Sequence, residues 1–439
     1  MPAPLTLGDA LARADDLDRV DPLGRYRELF VAPEAQNAED AAAAAARPAD
    51  AIVAYLDGNS LGRPLLSTAD TISSFVRDSW GSRLIRGWDE GWMQLATVIG
   101  DELAAAALGA APGQTMIGDS TTVLLYKAVR AAVDARPGRT EIVVDSDNFP
   151  TDRYVVEGIA AERGLTVRWI ETSPRLGLTT ELLAEAVGDR TAVVVASQVA
   201  YRSGYLADVG ALTRIAHDAG ALIVWDLCHS AGSVPVLLDD WQVDIAVGCT
   251  YKYLNGGPGS PAFLYVRREL QPVLRQPIWG WLGHAEPFAM GPGYDSSPGI
   301  RGLQSGTPPV IGMLAMRDMI ALIGTAGIPA VRAKSIALTE LTIELADDWL
   351  APLGVEVASP RRSDQRGSHV TLDHPRFREV VAALWQTGVV PDFRAPAGLR
   401  VGLSPLTTSF TELVLGLAAI RELLEPGIVE SISGSKRAF

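Results

Sequence analysis

One lysine, Lys252, directly follows an apolar run that has the composition of a buried strand. It lies in the segment CTYKYLNGGPGS, after the run that ends at Cys249 and before a glycine-rich turn. Burying a lysine is costly unless its ammonium is paired or the nitrogen is used in a covalent bond. The segment alone fits a lysine that reaches solvent past the strand end equally well. Lys252 is therefore a candidate nucleophile that needs a chemical partner.

An aspartate upstream of Lys252 offers that partner. Asp226 ends the apolar run ALIVWD, and Lys252 follows a later run of the same kind. Pyridoxal 5′-phosphate (PLP) needs a carboxylate on its pyridine nitrogen, because the protonated ring stores the electrons of a carbanion at Cα. Each residue is a weak signal alone. Together they predict PLP bound as a Schiff base on Lys252, with Asp226 at the ring nitrogen.

The segment GDSTTVLLYKAV has the residue types that a phosphate group needs. Ser120, Thr121 and Thr122 precede a helical pattern, and the amides at a helix N-terminus bind anions. A cluster of this kind can also be a helix N-cap and nothing more. Beside Lys252 and Asp226, the binding of the cofactor phosphate becomes the favoured interpretation.

Strand-like runs alternate with amphipathic stretches from about Ser67 to Val266. The runs are Glu141–Asp145, Thr191–Ser197, Ala221–Asp226, Asp244–Thr250 and Ala262–Val266. The stretches between them include Asp152–Arg163, Thr180–Val187 and Asp208–Ala219, each followed by a glycine, which is typical of helix ends. This alternation predicts an α/β fold, a mostly parallel sheet with helices on both faces.

The pattern changes after about Gly312. Helical stretches at Ala330–Leu350 and Phe410–Leu424 surround strand candidates near His369 and Val401, which indicates a smaller α+β domain. The stretch Gly291–Pro309 is rich in proline and glycine and is interpreted as a structured crossing loop. We expect an N-terminal arm at 1–66 that joins the C-terminal region, a large cofactor-binding domain at 67–311 and a small α+β domain at 312–439.

The composition narrows the class of partner. The chain has 439 residues and a formal net charge of −14, so neither nucleic acid nor an anionic membrane surface is an expected partner. Its two cysteines, Cys228 and Cys249, do not have the spacing of a zinc ligand set, and no metal is expected. The first thirty residues are acidic, and no apolar run has the length of a membrane span. We expect a cytoplasmic enzyme that acts on a small molecule.

Several long segments resemble the kynureninase family, over a region from about Tyr55 to Leu406. They are YLDGNSLG from Tyr55, LIRGW ending at Trp88, GDSTT from Gly118, NFPTD from Asn148, WDLCHSAG from Trp225, CTYKYLNGGPGS from Cys249 and GWLGH ending at His284. The resemblance implies a fold-type I PLP-dependent enzyme, related in fold to class V aminotransferases. It also implies a homodimer whose active sites are shared across the interface.

The resemblance assigns cofactor contacts to residues of these segments. It implies that Lys252 forms the Schiff base and that Asp226 contacts the pyridine nitrogen. The residues implied around the phosphate and the ring are Thr121, Thr122, Phe149, Asp152, Ser197, His229, Tyr251, Trp281 and Thr307. Among these, Phe149 stacks on the ring, Asp152 contacts its hydroxyl side, and Trp281 and Thr307 come from the second subunit.

The resemblance also assigns substrate contacts. Arg400, in GLRVGLSPL, matches the arginine that binds the amino acid carboxylate, a role that suits a forked guanidinium. The other implied substrate residues are Asn59, Ser60, Trp88, Tyr201, Gly306 and Thr307. Trp88 and the pair Gly306–Thr307 follow the family pattern associated with kynurenine, whereas members that prefer 3-hydroxykynurenine carry other residues there.

Two positions depart from the family pattern. Ala200 stands where many relatives have Asn or His, and Leu124 stands where Asn is usual. Because Ala200 precedes Tyr201, a roomier aryl pocket for a substituted ring is one interpretation.

The resemblance implies the hydrolysis of kynurenine, or of a ring-substituted kynurenine such as 3-hydroxykynurenine, to an anthranilate and L-alanine in tryptophan catabolism. Lys252 then takes the Cα proton, and Tyr251 is the candidate for relaying protons later. Another fold-type I enzyme, such as a cysteine desulfurase or an aminotransferase, remains an alternative. A non-enzymatic role is disfavoured, because the lysine, the aspartate and the arginine are all present.

Overall fold

The computed structural model describes residues 5–32 and 51–425. These residues form two compact units. The smaller unit consists of 5–32, 51–63, 202–204 and 329–425, and the larger unit consists of 64–201 and 205–328. The division after residue 63 lies close to the expected boundary at 66. The division after residue 328 lies later than the expected boundary at 311, because the helix Val310–Ala326 packs against the helix Trp92–Leu103 of the larger unit. Residues 33–50 of the expected arm lie outside the described residues.

The elements of the described residues follow the sequence pattern closely. The strands are β1 (Ala54–Tyr55), β2 (Thr115–Gly118), β3 (Glu141–Asp145), β4 (Thr166–Ile170), β5 (Thr191–Ser197), β6 (Leu222–Asp226), β7 (Ile245–Gly248), β8 (Ala262–Val266), β9 (Glu356–Val357), β10 (His369–Asp373), β11 (Val389–Val390), β12 (Asp392–Arg394) and β13 (Gly398–Gly402). The α-helices of seven or more residues are α1 (Leu7–Val20), α2 (Ser67–Ser74), α3 (Trp92–Leu103), α4 (Thr121–Asp134), α5 (Pro150–Arg163), α6 (Thr180–Ala186), α7 (Val209–Asp218), α8 (Val310–Ala326), α9 (Ile328–Leu345), α10 (Phe377–Gln386) and α11 (Phe410–Leu424). Shorter turns, such as Leu84–Trp88, connect several of them.

The larger unit contains a seven-stranded sheet in the order β2-β8-β7-β6-β5-β3-β4. The strands β3 to β7 are parallel, and β8 is antiparallel to both of its neighbours, β7 and β2. The predicted mostly parallel sheet is therefore confirmed. The edge strands β2 and β4 were not predicted: β2 has only four residues, and β4 is largely exposed and interrupts its apolar pattern with Arg168.

Helices cover both faces of this sheet, as predicted. Leu222 and Val224 of β6 belong to the apolar core that α4 and α5 share with the sheet. Trp225, the next residue after Val224, donates its indole N–H to Thr213 of α7 at 3.1 Å. Since successive side chains of a strand point to opposite faces, α4 and α7 lie on opposite sides of the sheet.

The smaller unit combines a second sheet with helices, which matches the predicted α+β composition. Its antiparallel sheet has the order β12-β13-β10-β9, and β1 pairs separately with β11 in parallel. The helices α1, α10 and α11 contribute to a second apolar core with this sheet. At the N-terminus of α11, the Ser409 hydroxyl and the Glu412 carboxylate form a capping box.

Among residues 5–32 and 51–425, no single helix is both long enough and apolar enough to cross a membrane. The segments Val310–Ala326 and Ile328–Leu353 meet the length and composition requirement only when they are taken together as a broken pair.

Candidate active site

The polar residues that the sequence singled out meet at one edge of the seven-stranded sheet. Asp226 and Ser197 end the neighbouring parallel strands β6 and β5, and Lys252 follows β7. The strand β2 runs in the same direction as β7, because both are antiparallel to β8, and it leads into α4 at Thr121. Ligands of parallel sheets bind at the carboxyl ends of the strands. The topology thus brings these residues to one place.

Lys252 is held inside the protein by the turn that follows β7. Its side chain leaves the residue only 9% exposed, and Nζ lies 3.3 Å from His229 Nε2 and 5.9 Å from the centroid of the Phe149 ring. The preceding Thr250 hydroxyl contacts the Ser260 hydroxyl at 2.7 Å, and the Thr250 carbonyl accepts from Gly256 N at 2.9 Å. A Cβ on Gly256 would lie 2.8 Å from Ser260 Oγ, so the turn needs glycine there. The solvent-facing alternative for Lys252 does not apply.

Asp226 and Asp152 form a pair of buried carboxyl groups. Asp226 is 6% exposed and accepts from Cys228 N at 2.7 Å. Asp152, in the first turn of α5, hydrogen-bonds to Asp226, and burial raises its pKa well above the usual range, with the Asp226 and Asp145 carboxylates adding to the effect. The raised pKa favours the protonated form of Asp152. The expected contact of Asp152 with the hydroxyl side of the ring remains a prediction.

The N-terminus of α4 carries the predicted phosphate donors. Ser120 is the N-cap and accepts from Val123 N at 3.4 Å, while Thr121 and Thr122 are the first two helical residues. Thr121 Oγ1 lies 4.0 Å from Cys228 Sγ, beside the segment that Asp226 begins. The cap interpretation and the anion-site interpretation are thus compatible, because Ser120 serves as the cap and leaves both threonines for a ligand.

The remaining residues that are predicted to contact the ring lie after β3 and β5. Phe149 meets Tyr201 edge to face, with ring centroids 5.4 Å apart. Ser197 donates to Asn148 Oδ1 at 2.9 Å, and the same oxygen accepts from Phe149 N at 2.7 Å. Asn148, a residue that the sequence interpretation passed over within its NFPTD motif, therefore fixes both Phe149 and Ser197.

Asp145 is a second residue that the sequence interpretation missed. It ends β3 as Asp226 ends β6, so the same signal marks it. Burial, together with the neighbouring Asp147 carboxylate, raises the pKa of Asp145 to about 7. The ionised form of Asp145 adds to the rise in the pKa of Asp152.

These residues fit PLP. Asp152 Oδ2 and Asn148 Nδ2 are buried without a hydrogen-bond partner in the protein, and buried polar atoms of this kind call for a ligand or a water. A buried lysine, a carboxyl pair and a helix N-terminus match the aldehyde, the pyridine nitrogen and the phosphate of the cofactor. Lys252 and His229, Asp226 and Asp152, and Thr121 and Thr122 are the residues that would hold those three parts.

A second cluster of predicted residues consists of aromatic side chains. Trp88 packs edge to face on Trp92 at 5.5 Å and on Trp281 at 6.0 Å between ring centroids. A cavity of about 340 Å³ adjoins Trp88 and Thr307, and its other lining residues are Phe75, Trp80, Trp92 and Pro308–Gly312. Gly306 is open to space on its Cβ side, so a larger residue is sterically tolerated there.

Arg400 lies in the smaller unit, on β13, and is 1% exposed. Its Nη2 donates to Ser60 Oγ at 2.8 Å and forms an ion pair with Asp392 Oδ2 at 2.7 Å. With its amide oriented to satisfy both neighbours, Asn59 accepts from Arg400 Nε and donates to Asp57 Oδ1, each at 3.1 Å. The structure thus joins the predicted residues Arg400, Asn59 and Ser60, and adds two carboxylates that sequence reasoning missed.

The two departures from the family pattern have small steric consequences. Leu124 is fully buried in the core that α4 shares with the sheet. Ala200 borders a space of only about 10 Å³ beside Phe149 and Tyr201, which is about the room of one water molecule. The roomier aryl pocket remains a prediction.

Solved structures share the fold at low sequence identity. A cysteine desulfurase from Thermococcus onnurineus is 20% identical with a TM-score of 0.73, covering 84% of this chain and 94% of that one. A cysteine desulfurase from Escherichia coli is 20% identical with a TM-score of 0.72, covering 92% and 100%. The C-DES protein with glycine covalently linked to its PLP cofactor is 17% identical with a TM-score of 0.74, covering 84% and 96%. We call the residues that fit the three parts of PLP the cradle: Lys252, His229, Asp226, Asp152, Thr121 and Thr122. The fold and this cradle define a fold-type I PLP-dependent enzyme.

Full-length relatives identify the family within this class. The kynureninase of Pseudomonas fluorescens is 38% identical over 427 residues, 96% of each chain. The kynureninase of Burkholderia pseudomallei strain 1106a is 39% identical over 416 residues, covering 93% of this chain and 94% of that protein. The family model described as the kynureninase C-terminal domain matches residues 331–420. The chain belongs to the kynureninase family.

Proposed function

We propose that the protein hydrolyses the Cβ–Cγ bond of L-kynurenine, so that kynurenine and water give anthranilate and L-alanine. The observation that carries the proposal is full-length similarity to kynureninases combined with a cradle in which Lys252, Asp226 and Asp152 are buried together. Ring-substituted kynurenines such as 3-hydroxykynurenine belong to the same proposal.

The residues of the cradle have different proposed roles in the first step, the removal of the Cα proton. When bound, PLP supplies an electron sink for a carbanion at Cα of the amino acid joined to it. Lys252 would hold the cofactor, and its free amine would take the Cα proton. Asp226 would keep the pyridine nitrogen protonated. Thr121, Thr122 and His229 would hold the phosphate, and Phe149 and Ser197 would orient the ring.

Tyr251 is the proposed proton donor for the later steps. Burial raises the pKa of its phenol, with the neighbouring thiols of Cys249 and Cys228 contributing. The phenol is therefore protonated at neutral pH and able to donate to the carbon that the departing aryl fragment leaves behind. Its position one residue before Lys252 keeps it on the same turn.

Replacing Tyr251 with phenylalanine is expected to lower kcat by about 10²–10⁴-fold, the usual worth of a positioned general acid. KM should change little, because the ring remains in place. Steady-state kinetics on Tyr251→Phe, with Tyr253→Phe from the same segment as the control, measures the effect. Turnover of Tyr251→Phe at the wild-type rate would remove the phenol from the mechanism.

The substrate's two ends have different proposed partners. Arg400 binds the α-carboxylate, and Ser60 and Asn59 orient its guanidinium. Trp88, Tyr201, Gly306 and Thr307 surround the aryl ring. An indole offers apolar contact and one donor, so Trp88 favours an aniline ring without a hydroxyl group.

A homodimer with shared sites is part of the proposal. Large apolar side chains are exposed in the segments around the aromatic cluster, among them Ile85 at 76%, Trp279 at 64% and Met290 at 81%, and such patches mark interfaces. Because Trp88 packs on Trp281 within one chain, the subunit that receives Trp281 and Thr307 receives Trp88 as well. Sedimentation should give twice the mass of the chain, and an Ile85→Glu variant should shift toward monomer and lose activity; a wild-type monomer with full activity would contradict this.

The location that we propose is the cytoplasm. Cys228 and Cys249 are both free thiols although Cys228 Sγ accepts from Cys249 N at 3.2 Å, as suits a reducing compartment. The same placement disfavours a desulfurase, which needs its thiol on a mobile loop. Both cysteines instead adjoin the ends of β6 and β7.

The decisive experiment offers the purified enzyme kynurenine, 3-hydroxykynurenine and a ring-methylated kynurenine. We expect release of the anthranilate and of alanine, with kcat/KM highest for unsubstituted kynurenine. Parallel incubations with cysteine and with an amino acid plus a keto acid test for sulfide release and for amino transfer. The absence of anthranilate from all three kynurenines would refute the proposal, and sulfide or a new keto acid would favour one of the alternatives.

A further inference from the structure

The guanidinium of Arg400 is already neutralised by the protein itself. Its Nη2 lies 2.7 Å from Asp392 Oδ2 and 3.9 Å from Asp57 Oδ1. Arg394 Nε lies 2.7 Å from the same Asp392 oxygen. Two arginines and two aspartates cancel in formal charge. A substrate carboxylate that binds here would add a third negative charge to a buried set that has only two positive ones.

The two aspartates are not equivalent in this set. Asp392 bridges both guanidinium groups at hydrogen-bonding distance. Asp57 is farther from Arg400 and is contacted by the Asn59 amide and by the Ser60 hydroxyl, which are uncharged. An anion that binds at Arg400 therefore destabilises the negative charge of Asp57 more than that of Asp392, because the guanidinium groups lie closer to Asp392.

Asp57 can take up a proton at a pH close to neutral. Burial raises the pKa of Asp57 to about 6; the Ser60 hydrogen bond opposes this, the Asp392 carboxylate adds to it, and the Arg400 and Arg394 cations lower it. A further negative charge nearby raises the pKa of a carboxyl group again.

The other ionisable groups near Asp57 are paired among themselves. The Tyr55 phenol, on β1, is neutral, because burial and the Asp57 charge raise its pKa. Arg63 lies over the Tyr55 ring at 5.6 Å and is hydrogen-bonded to Glu412 of α11, which also accepts from Tyr55 N at 2.8 Å. These groups leave Asp57 as the carboxyl that responds to an anion at Arg400.

We infer that Asp57 takes up one proton from solvent when a carboxylate binds to Arg400, so that the ligand replaces Asp57 as a counter-ion of that arginine. Asp392 positions the guanidinium through its ion pair. The inference rests on the proposed function, in which Arg400 binds the carboxylate of the substrate, and it makes Asp57 a positioning residue whose charge sets the affinity.

The sign of the pH dependence follows from the uptake of a proton. Binding tightens as the pH falls, by about tenfold per unit between the pKa of Asp57 in the free enzyme and its higher pKa in the complex. Below pH about 6 the free enzyme already carries the proton, and the affinity becomes constant. An Asp57→Asn variant imitates the protonated state and should bind carboxylates tightly at every pH.

Propionate tests this with the PLP-loaded enzyme, because it has the carboxylate of alanine but no amine that titrates. Its inhibition constant against kynurenine turnover is measured from pH 6 to pH 8, with propionamide as the uncharged probe. We expect the wild-type constant to rise with pH by at least about tenfold over this range, and the Asp57→Asn constant to remain at the low value. Asp347→Asn, which removes an exposed partner of Arg361 in the same unit, is the matched control and should keep the wild-type slope.

The possible outcomes separate this inference from the proposed function. A wild-type constant that does not change between pH 6 and pH 8 overturns the inference without needing any variant to fold. The inference on Asp57 is also overturned if the wild-type and Asp57→Asn profiles coincide, or if propionate does not inhibit an enzyme that cleaves kynurenine. Either outcome leaves the proposed function intact. A wild type that never releases anthranilate overturns both.

Discussion

Replacing Lys252 with alanine is expected to remove both the visible absorbance of the lysine-bound cofactor and turnover. In the proposed function, the side chain would supply the covalent link to PLP, and its free amine would take the Cα proton. No other lysine among the described residues accompanies it in the cradle: Lys127 pairs with Asp119, and Lys334 pairs with Asp21. We expect kcat to fall by at least about 10³-fold, measured by steady-state kinetics together with an absorbance spectrum of the purified protein.

A Lys252→Arg variant separates covalent chemistry from charge. It keeps a cation near His229 but cannot form the link, so it should lose the same absorbance and the same activity. Circular dichroism of both variants checks that the fold is retained. Activity in either folded variant would contradict the role that we assign to Lys252.

Replacing Asp226 with asparagine is expected to have the second largest effect. An amide of the same shape can still accept from Cys228 N, which the carboxylate does at 2.7 Å, so the strand end should remain in place. In the proposed role, the amide would no longer hold a negative charge at the pyridine nitrogen, and the electron sink would weaken. We expect kcat to fall by about 10²–10³-fold, the usual cost of losing one preorganised electrostatic group.

Asp152→Asn is the matched control for that variant, because Asp152 is the other member of the buried pair. Its loss should cost less than the loss of Asp226 if Asp226 is the residue at the nitrogen. A larger loss of kcat in Asp152→Asn than in Asp226→Asn would reverse the assignment of the two carboxyls.

The cradle was predictable because its signals are local. Asp226 and Lys252 each follow an apolar run, and in a parallel sheet the ends of such runs meet at one edge. The same reasoning extends to Asp145, which ends β3 in the same manner but was not considered. The motif that contains Asn148 was noted, yet the hydrogen bonds of its amide depend on how the chain turns between β3 and α5, which spacing alone does not determine.

The surroundings of Arg400 were not predictable in this way. Asp392 faces Arg400 through the register of β12 against β13, in which residue 392 pairs with residue 400. A shift of one residue would point the aspartate to the other face of the sheet. The bridge between Asp57 and Gly402 likewise depends on long-range packing. Sequence reasoning named the arginine and its motif neighbours, whereas strand register determines which carboxylates surround it.

The composition of the smaller unit from both ends of the chain has a consequence for biosynthesis. Asp18 accepts from the backbone of Phe410 and Thr411 at the start of α11, and Tyr55 N donates to Glu412, 357 residues away. The strand β1 has its partner in β11. Closing such distant contacts is slow and must follow the local ones. On the ribosome, the larger unit is therefore synthesised before residues 329–425, so the N-terminal segments can pair with these later residues only after the larger unit has been made.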